Sequence, residues 1–466
     1  ACRMCMVENK WGGMEAACST PPRNGMEIYT NTPRLRKYRK MILELLLSNH
    51  CGECTTCDKN GKCKLQELAA RFDIHRVRFD NPKSKPCIDD SSVSITRDAN
   101  KCILCGDCVR VCNEVQNVGA IDFAFRGSKM KVACSFDKPI GDSNCVGCGQ
   151  CAAVCPTGAI IIKNDSHRLW KELNQEDTIA VAQVAPAVRV AVAKEFGYNG
   201  ENVMGKIVAA LRRIGFNYIF DTSTAADLTV MEESKEFADR LANGGKLPLF
   251  TSCCPAWSVM AKKLFPTLAP YISMALTPMV LTARMLKKDD PDACIAFIGP
   301  CAAKKLEASR RTIRSDVDFV LTFEELMGMF NAKGVTFEDI TDEEKVDLCE
   351  GTGDGRGFAV SGGVAKAVAD VIHKLDPERE VKVVSAQGLK DCRKLLTLAK
   401  AGKYDGYLLE GMACPGGCVA GAGTLQAVEK STALVNKYVK DAPLQNSLDS
   451  KYEINLDLIT ESHDDK

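Results

Sequence analysis

From about residue 178 onward, the chain alternates short, almost wholly apolar runs with amphipathic stretches. TIAVAQVAPAVRVAVA and NYIFDTS read as strands around VMGKIVAALRRIG, whose apolar residues recur at helical spacing. KLPLF, DACIAFIG, VDFVLTF, REVKVVSA and YDGYLLE read as further strands buried on both faces, as in parallel sheets. Three of these strands run into cysteine-bearing loops and then helical patterns: KLPLF into TSCCPAW, DACIAFIG into PCAAKK, and YDGYLLE into GMACPGGC. Ligands of open α/β sheets sit at the carboxyl ends of strands, so these three loops are expected to converge on one site.

The change of pattern falls near 163–178 and separates this part from a cysteine-dense first third. The chain has 466 residues and 25 cysteines, seventeen of them within the first 155 residues. A disulfide scaffold is normally short, and a chain this long can bury a core without staples, so reduced thiolates ligating metal are expected. Lys plus Arg number 61 against 60 Asp plus Glu, for a net charge of +1, which gives no electrostatic reason for a nucleic-acid partner. No run of 18 apolar residues exists; the nearest approach, YISMALTPMVLTARML, contains a proline and an arginine. No membrane span and no signal peptide are expected, and the cytoplasm is the expected compartment.

The strongest motif is a doubled C-x2-C-x2-C-x3-C, in KCILCGDCVRVC and NCVGCGQCAAVCP. In the two-cluster ferredoxin run the fourth cysteine crosses to the other cluster. Cys102, Cys105, Cys108 and Cys155 should thus hold one [4Fe-4S] cluster, and Cys145, Cys148, Cys151 and Cys112 a second. Upstream, His50, Cys54, Cys57 and Cys63 form H-x3-C-x2-C-x5-C, which suits zinc or an iron-sulphur cluster, with Cys51 read as a non-ligand. At the start, Cys2, Cys5 and Cys18 supply three ligands where a [2Fe-2S] cluster needs four; the fourth would precede residue 1. Such a series would conduct single electrons. The basic stretch RLRKYRK at 34–40 reads either as a solvated helix face or as a dock for an acidic carrier.

TSCCPAW at 251–257, GPCAAKKLE at 299–307 and EGMACPGGCVAGAG at 410–423 resemble the three signature segments of [FeFe]-hydrogenases. The N-terminal motifs resemble those of the modular clostridial type, in the same order. The resemblance implies an α/β catalytic domain, two-lobed with doubly wound sheets, preceded by small α+β iron-sulphur domains that include a two-cluster ferredoxin-like domain. It divides the chain at 1–40 ([2Fe-2S]), 41–85 (one-histidine [4Fe-4S]), 86–165 (two-cluster) and 166–466 (catalytic). It implies reversible reduction of protons to H2 at an H-cluster, a [4Fe-4S] cubane joined to a two-iron unit bearing CO, cyanide and a bridging amine dithiolate. Three accessory [4Fe-4S] clusters and one [2Fe-2S] cluster would feed it. The implied partners are a ferredoxin or similar small electron carrier and the maturation proteins that build the two-iron unit.

Carried onto this sequence, the resemblance makes Cys254, Cys301, Cys414 and Cys418 cubane ligands, with Cys418 bridging to the two-iron unit. It makes Cys253 the proton donor and acceptor, pairs Lys304 with Glu307 beside a cyanide, and places Ala185, Pro186, Pro300 and Met412 around the cofactor. Glu233, Glu236, Arg240 and Ser273 fall at relay positions. The chemistry of the residues agrees: a free thiol titrates near enough to neutrality for acid–base work, and Glu233, Glu236 and Arg240 share one helix face. A surface pair is the bland reading of Lys304–Glu307, with one lysine of KK exposed.

Three positions depart from the pattern. Gly299 replaces a methionine, Met279 replaces a glutamine, and the third signature reads GAG for GGG, changes that look like the group B branch. No ligand is lost, so the H-cluster is expected to form. Other readings are an H2 sensor, which usually lacks the thiol at 253 and carries a further domain where this chain has a short tail after 423, an iron-sulphur assembly factor, and a respiratory dehydrogenase subunit, which lacks the three loops. GTGDGRGFAVSGG at 351–363 matches no nucleotide motif and reads as a flexible turn. Cys51, Cys87, Cys134, Cys294, Cys349 and Cys392 read as structural.

Overall fold

The computed structural model describes residues 2–80, 88–189, 192, 196–198, 203–310, 315–341, 344 and 351–452. Cys87 and Cys349 lie outside the described residues. The chain forms two compact units, one of residues 1–114, 119–145 and 150–161, the other of 115–118, 146–149 and 162–466.

In the larger unit, four parallel strands lie in the order Phe319–Leu321, Cys294–Ile298, Ala180–Val184, Tyr218–Asp221. A second parallel sheet orders Leu249–Phe250, Leu408–Met412, Val383–Gln387. Ala180–Val184, Cys294–Ile298 and Leu408–Met412 are buried along their whole length, as their largely apolar runs require of strands covered on both faces. The first run ends sooner than TIAVAQVAPAVRVAVA suggested. It leaves the sheet after Val184, just before Pro186, which has no N–H to give a ladder.

The helices begin where their sequences cap them. Asp221 accepts the Ser223 N–H to open Thr222–Ala242, and Thr322 with Glu325 forms a reciprocal capping box on Phe323–Lys333. Pro255 opens Pro255–Leu264 directly after Cys254. Gly411 is required by a close approach: a Cβ there would lie 2.2 Å from the fully buried Trp257 ring.

The stretch GTGDGRG is not a flexible turn. Thr352 caps the buried helix Gly353–Gly357, and buried Asp227 accepts the Thr352 N–H at 2.9 Å and the Gly355 N–H at 3.0 Å. Here the glycines allow close backbone packing, since a Cβ on Gly355 would sit 2.2 Å from Ser223 O.

The smaller unit is built of short elements. Met14–Ala16, Met6–Asn9 and Ile28–Tyr29 form an antiparallel sheet, followed by helices Pro33–Ser48 and Lys64–Arg71. A hairpin pairs Asp122–Ala124 with Lys131–Ala133, and Asp107–Arg110 and Gln150–Ala153 are one-turn helices. In RLRKYRK, Arg34 pairs with Glu8, Arg39 donates to Met6 O and Lys40 to Asp73 O, while Arg36 and Lys37 stay exposed. Part of that basic run is therefore committed to holding the unit together.

Candidate functional site

Each signature loop leaves the carboxyl end of a parallel strand: Leu249–Phe250 leads to Cys253 and Cys254, Cys294–Ile298 to Cys301, and Leu408–Met412 to Cys414. The three loops meet at one pocket. Cys253, Cys254, Cys301, Cys414 and Cys418 line it with Cys148, Ala185, Pro186, Pro300, Lys304 and Met412. All four candidate cubane cysteines and all four candidate cofactor-contact residues are thus brought together.

The pocket half-buries its thiols and sets them against one another. Burial, then the neighbouring Cys301 and Cys254, pushes Cys418 up to about 12. Burial and Cys254 raise Cys301 to about 11. Cys414 is raised for the same reasons, with Cys148 among the charges it senses. Crowded thiols of this kind are poor as acids on their own and are suited to a cationic iron core that replaces their protons. The Ala413 N–H already points at Cys254 Sγ, 3.4 Å away. Among the described residues no three His, Cys, Asp or Glu side chains converge on a single ion. A cubane takes each thiolate at a separate iron and so spreads its ligands more widely than one ion does. The residues fit a cluster.

Lys304 is buried in this pocket, its Nζ 2.6 Å from Glu307 Oε2 and 3.2 Å from Thr277 Oγ1. Burial alone would lower the lysine, but the carboxylate of Glu307 outweighs it and holds the ammonium charged. The pair is no surface pair, and the expected exposed neighbour is also absent. Lys305 is buried too, bonded to Asp165, Glu325 and Val320 O.

From Cys253 a file of polar groups leads outward. Cys253 is raised by burial and then by the charge of Glu233. Glu233 is fully buried and pushed up to about 8, by burial and then by Glu236; its Oε1 accepts the Ser252 N–H at 3.3 Å. Ser273 gives its hydroxyl to Glu236 Oε2 at 2.7 Å, and its dipole also favours ionised Glu233, although Glu233 Oε2 has no hydrogen-bond partner of good geometry. Glu236 Oε1 pairs with Arg240, which also donates to Lys246 O at 3.0 Å. The file ends beside exposed Met274, whose N–H donates to Glu236.

Two carboxylates had escaped notice. Glu232 accepts the Leu276 N–H at 3.4 Å and is pushed up to about 7 by burial and Glu236. Glu410 accepts the Gly362 and Ala365 N–H groups at 2.7 and 2.8 Å, and its charge reaches Cys253. The signal for Glu410 was a lone acid inside the apolar strand YDGYLLE.

The departures have structural partners. A Cβ on Gly299 would lie 2.6 Å from the Phe297 ring, so that ring occupies the room a methionine would need. Phe297 and Met279 both line the pocket.

In the smaller unit, Cys102, Cys105, Cys108 and Cys155 line one cavity, so the distant fourth cysteine does join the first three. Burial, followed by Cys102 and Cys155, pushes Cys108 up to about 12. Cys112 Sγ accepts the Ala120 N–H at 3.3 Å, and Cys145 and Cys151 lie at the Ser143 turn and in the Gln150–Ala153 helix. His50 Nδ1 accepts the Gly52 N–H at 2.9 Å, Cys54 and Cys57 share a turn, and Cys63 points to Pro156 O. Cys5 and Cys18 interact directly: burial would raise Cys5, yet the N–H and thiol of Cys18 leave it lowered. Cys2 packs instead with the Leu43, Leu65 and Ile103 cluster. Of the cysteines read as structural, Cys134, Cys294 and Cys392 are buried, the last donating to Ala386 O and Met412 O.

Parallel sheets feeding a buried four-cysteine pocket, with a ferredoxin-type cluster cavity in the other unit, define a multi-cluster iron-sulphur oxidoreductase. Residues 178–422 match the family described as iron only hydrogenase large subunit, C-terminal domain; 101–159 match a 4Fe-4S dicluster domain, and 39–78 the NADH-ubiquinone oxidoreductase-G iron-sulfur binding region. The chain is 35% identical to the NADP-reducing hydrogenase subunit HndD of Solidesulfovibrio fructosivorans, over 98% of this chain and 87% of that protein. It is 30% identical to iron hydrogenase 1 of Clostridium pasteurianum, over 96% and 85%. Its fold is similar to a variant of [FeFe]-hydrogenase HydA1 from Chlamydomonas reinhardtii, with TM-score 0.52 and 26% identity over 65% of this chain and 94% of that one. The chain belongs to the iron-only hydrogenase large-subunit family, and it is an iron-sulphur protein with [4Fe-4S]-binding domains.

Proposed function

We propose that the chain catalyses the reversible reaction 2H+ + 2e− to H2 at an H-cluster seated in the three-loop pocket, with electrons relayed through accessory clusters. The observation that carries this reading is the meeting, in one pocket, of four crowded thiols and the inner end of a polar file that begins at Cys253. Cys254, Cys301, Cys414 and Cys418 would hold the cubane, and Cys418 would also hold the two-iron unit. When bound, that group supplies the site at which two protons and two electrons combine.

The chain's own residues do the remainder. Cys253 Sγ holds the proton nearest the cofactor, and Glu233 exchanges it with Glu236 by way of the Ser273 hydroxyl. Arg240 holds Glu236 in place at the outer end. Lys304, fixed by Glu307, presents a desolvated cation to an anionic ligand, where low polarity strengthens the attraction. Ala185, Pro186, Pro300 and Met412 exclude water.

Electrons reach the pocket past Cys148, which lines its wall. We assign one [4Fe-4S] cluster to Cys102, Cys105, Cys108 and Cys155 and another to Cys112, Cys145, Cys148 and Cys151. His50, Cys54, Cys57 and Cys63 hold a third, and Cys2, Cys5 and Cys18 supply three ligands of a [2Fe-2S] cluster. The domains at 1–40, 41–85, 86–165 and 166–466 follow these sets. A ferredoxin or similar small carrier exchanges electrons with the chain, maturation proteins supply the two-iron unit, and the thiolate sites suit a reducing cytoplasm. No described helix is long and apolar enough to cross a membrane.

The test is infrared spectroscopy of anaerobically matured protein. Bands of iron-bound CO and cyanide are expected. Their absence from fully iron-loaded, matured protein would reject the reading.

A further inference from the structure

Thr222 is the first residue of the helix Thr222–Ala242 and is almost fully buried, 4% exposed. It lines the three-loop pocket together with Cys253, Lys304 and Cys418. Its hydroxyl has no hydrogen-bond partner among the described residues.

The vacancy has a local cause. Threonines within helices turn their hydroxyls back onto the carbonyl four residues earlier, as Thr229 does to Ala225 O at 3.0 Å and Thr282 to Pro278 O at 2.8 Å. Thr224 reaches Asp221 O at 2.8 Å. At the first helical position the carbonyls three and four residues back belong to the preceding strand, so Thr222 has no such acceptor within its own helix. Ser223, whose hydroxyl is likewise without a partner, packs against Gly351 and does not line the pocket. The lining of the pocket that holds Thr222 includes apolar Ala185, Pro186, Met279 and Phe358. A buried hydroxyl left unsatisfied in such a setting costs free energy that an isosteric valine would not. An acceptor brought in by the bound group removes that cost.

We propose that Thr222 Oγ1 donates a hydrogen bond to a cyanide-type ligand of the two-iron unit bound in this pocket, a second polar hold beside that of Lys304. The inference rests on the function proposed above. A terminal cyanide carries negative charge on nitrogen and makes a charge-assisted acceptor, whereas the oxygen of bound CO is a weak one. The bridging amine is left to Cys253. Thr222 is thus a binding residue for the cofactor, and the bond it makes forms only when the pocket is filled.

The experiment compares wild type with Thr222→Val, Thr222→Ala and Thr222→Ser in the full chain, matured anaerobically, by infrared spectroscopy and by melting of the cofactor-free protein. Donation to the cyanide nitrogen stiffens the C–N bond, so in Thr222→Val and Thr222→Ala one cyanide band should move to lower wavenumber. Thr222→Ser should keep the wild-type position. Cofactor-free Thr222→Val should melt at or above the wild-type temperature, because the hydroxyl has no partner in the empty pocket. Cyanide bands unmoved in both Thr222→Val and Thr222→Ala would overturn the inference, as would a marked fall in melting temperature of cofactor-free Thr222→Val. Wild-type protein without CO or cyanide bands would instead reject the underlying function. The two failures are therefore distinct.

Discussion

The Ser273 hydroxyl donates to Glu236 Oε2 at 2.7 Å, joining a loop residue to a helix residue 37 positions away in the sequence. This contact fixes Ser273 against Glu236, one helical turn from Glu233, and the Ser273 dipole also favours ionised Glu233.

Glu233 makes the stability of the fold depend on pH. Its folded value is raised from 4.5 to about 8, so between those values the folded chain binds a proton the unfolded chain has released. Stability therefore falls as pH rises through that window. Melting temperature of cofactor-free wild type should decline from pH 5 to pH 8.5, and Glu233→Gln should flatten the decline. Equal slopes would show that Glu233 ionises as readily folded as unfolded.

Lys304 and Glu307 form a pair largely withdrawn from water. Glu307→Gln leaves the ammonium without its counter-charge and should cost about 3–5 kcal/mol in denaturant unfolding. The apolar double variant Lys304→Met with Glu307→Leu should recover most of that stability yet hold the two-iron unit poorly. Full retention of the unit would argue that the cation is only structural.

Adjacent Cys253 and Cys254 should separate cleanly. Cys254→Ala should lower the iron bound in the pocket and the CO and cyanide bands with it. Cys253→Ala should keep the bands and lose nearly all turnover. Equal loss of bands in both would contradict the division of roles.

Gly299 and Phe297 should behave as a coupled pair. Gly299→Met forces a side chain into the Phe297 ring and should cost about 1–3 kcal/mol as overpacking. Adding Phe297→Ala should restore part of the loss, giving a favourable coupling energy. Strict additivity would show that the ring is not what fills that space.

Much of this molecule was legible as text. Buried strands announced themselves as largely apolar runs, and the cysteine intervals pointed to the cavity in which Cys155 joins Cys102, Cys105 and Cys108. What escaped was set by contacts distant in sequence. One lysine of KK looks exposed until Asp165 and Glu325 are seen to enclose Lys305. The glycines of GTGDGRG suggest looseness, yet they allow the backbone close to Ser223 and Asp227. Glu232 and Thr222 carry no motif, and burial alone gives them meaning.

The central claim, that Cys253 passes protons to and from H2 chemistry in this pocket, is tested most directly by isotope exchange. Matured wild type under D2 in H2O should release HD, and Cys253→Ala with an intact infrared signature should release almost none. Wild-type protein that shows the CO and cyanide bands but forms no HD, or a Cys253→Ala variant that exchanges at the wild-type rate, would contradict the account.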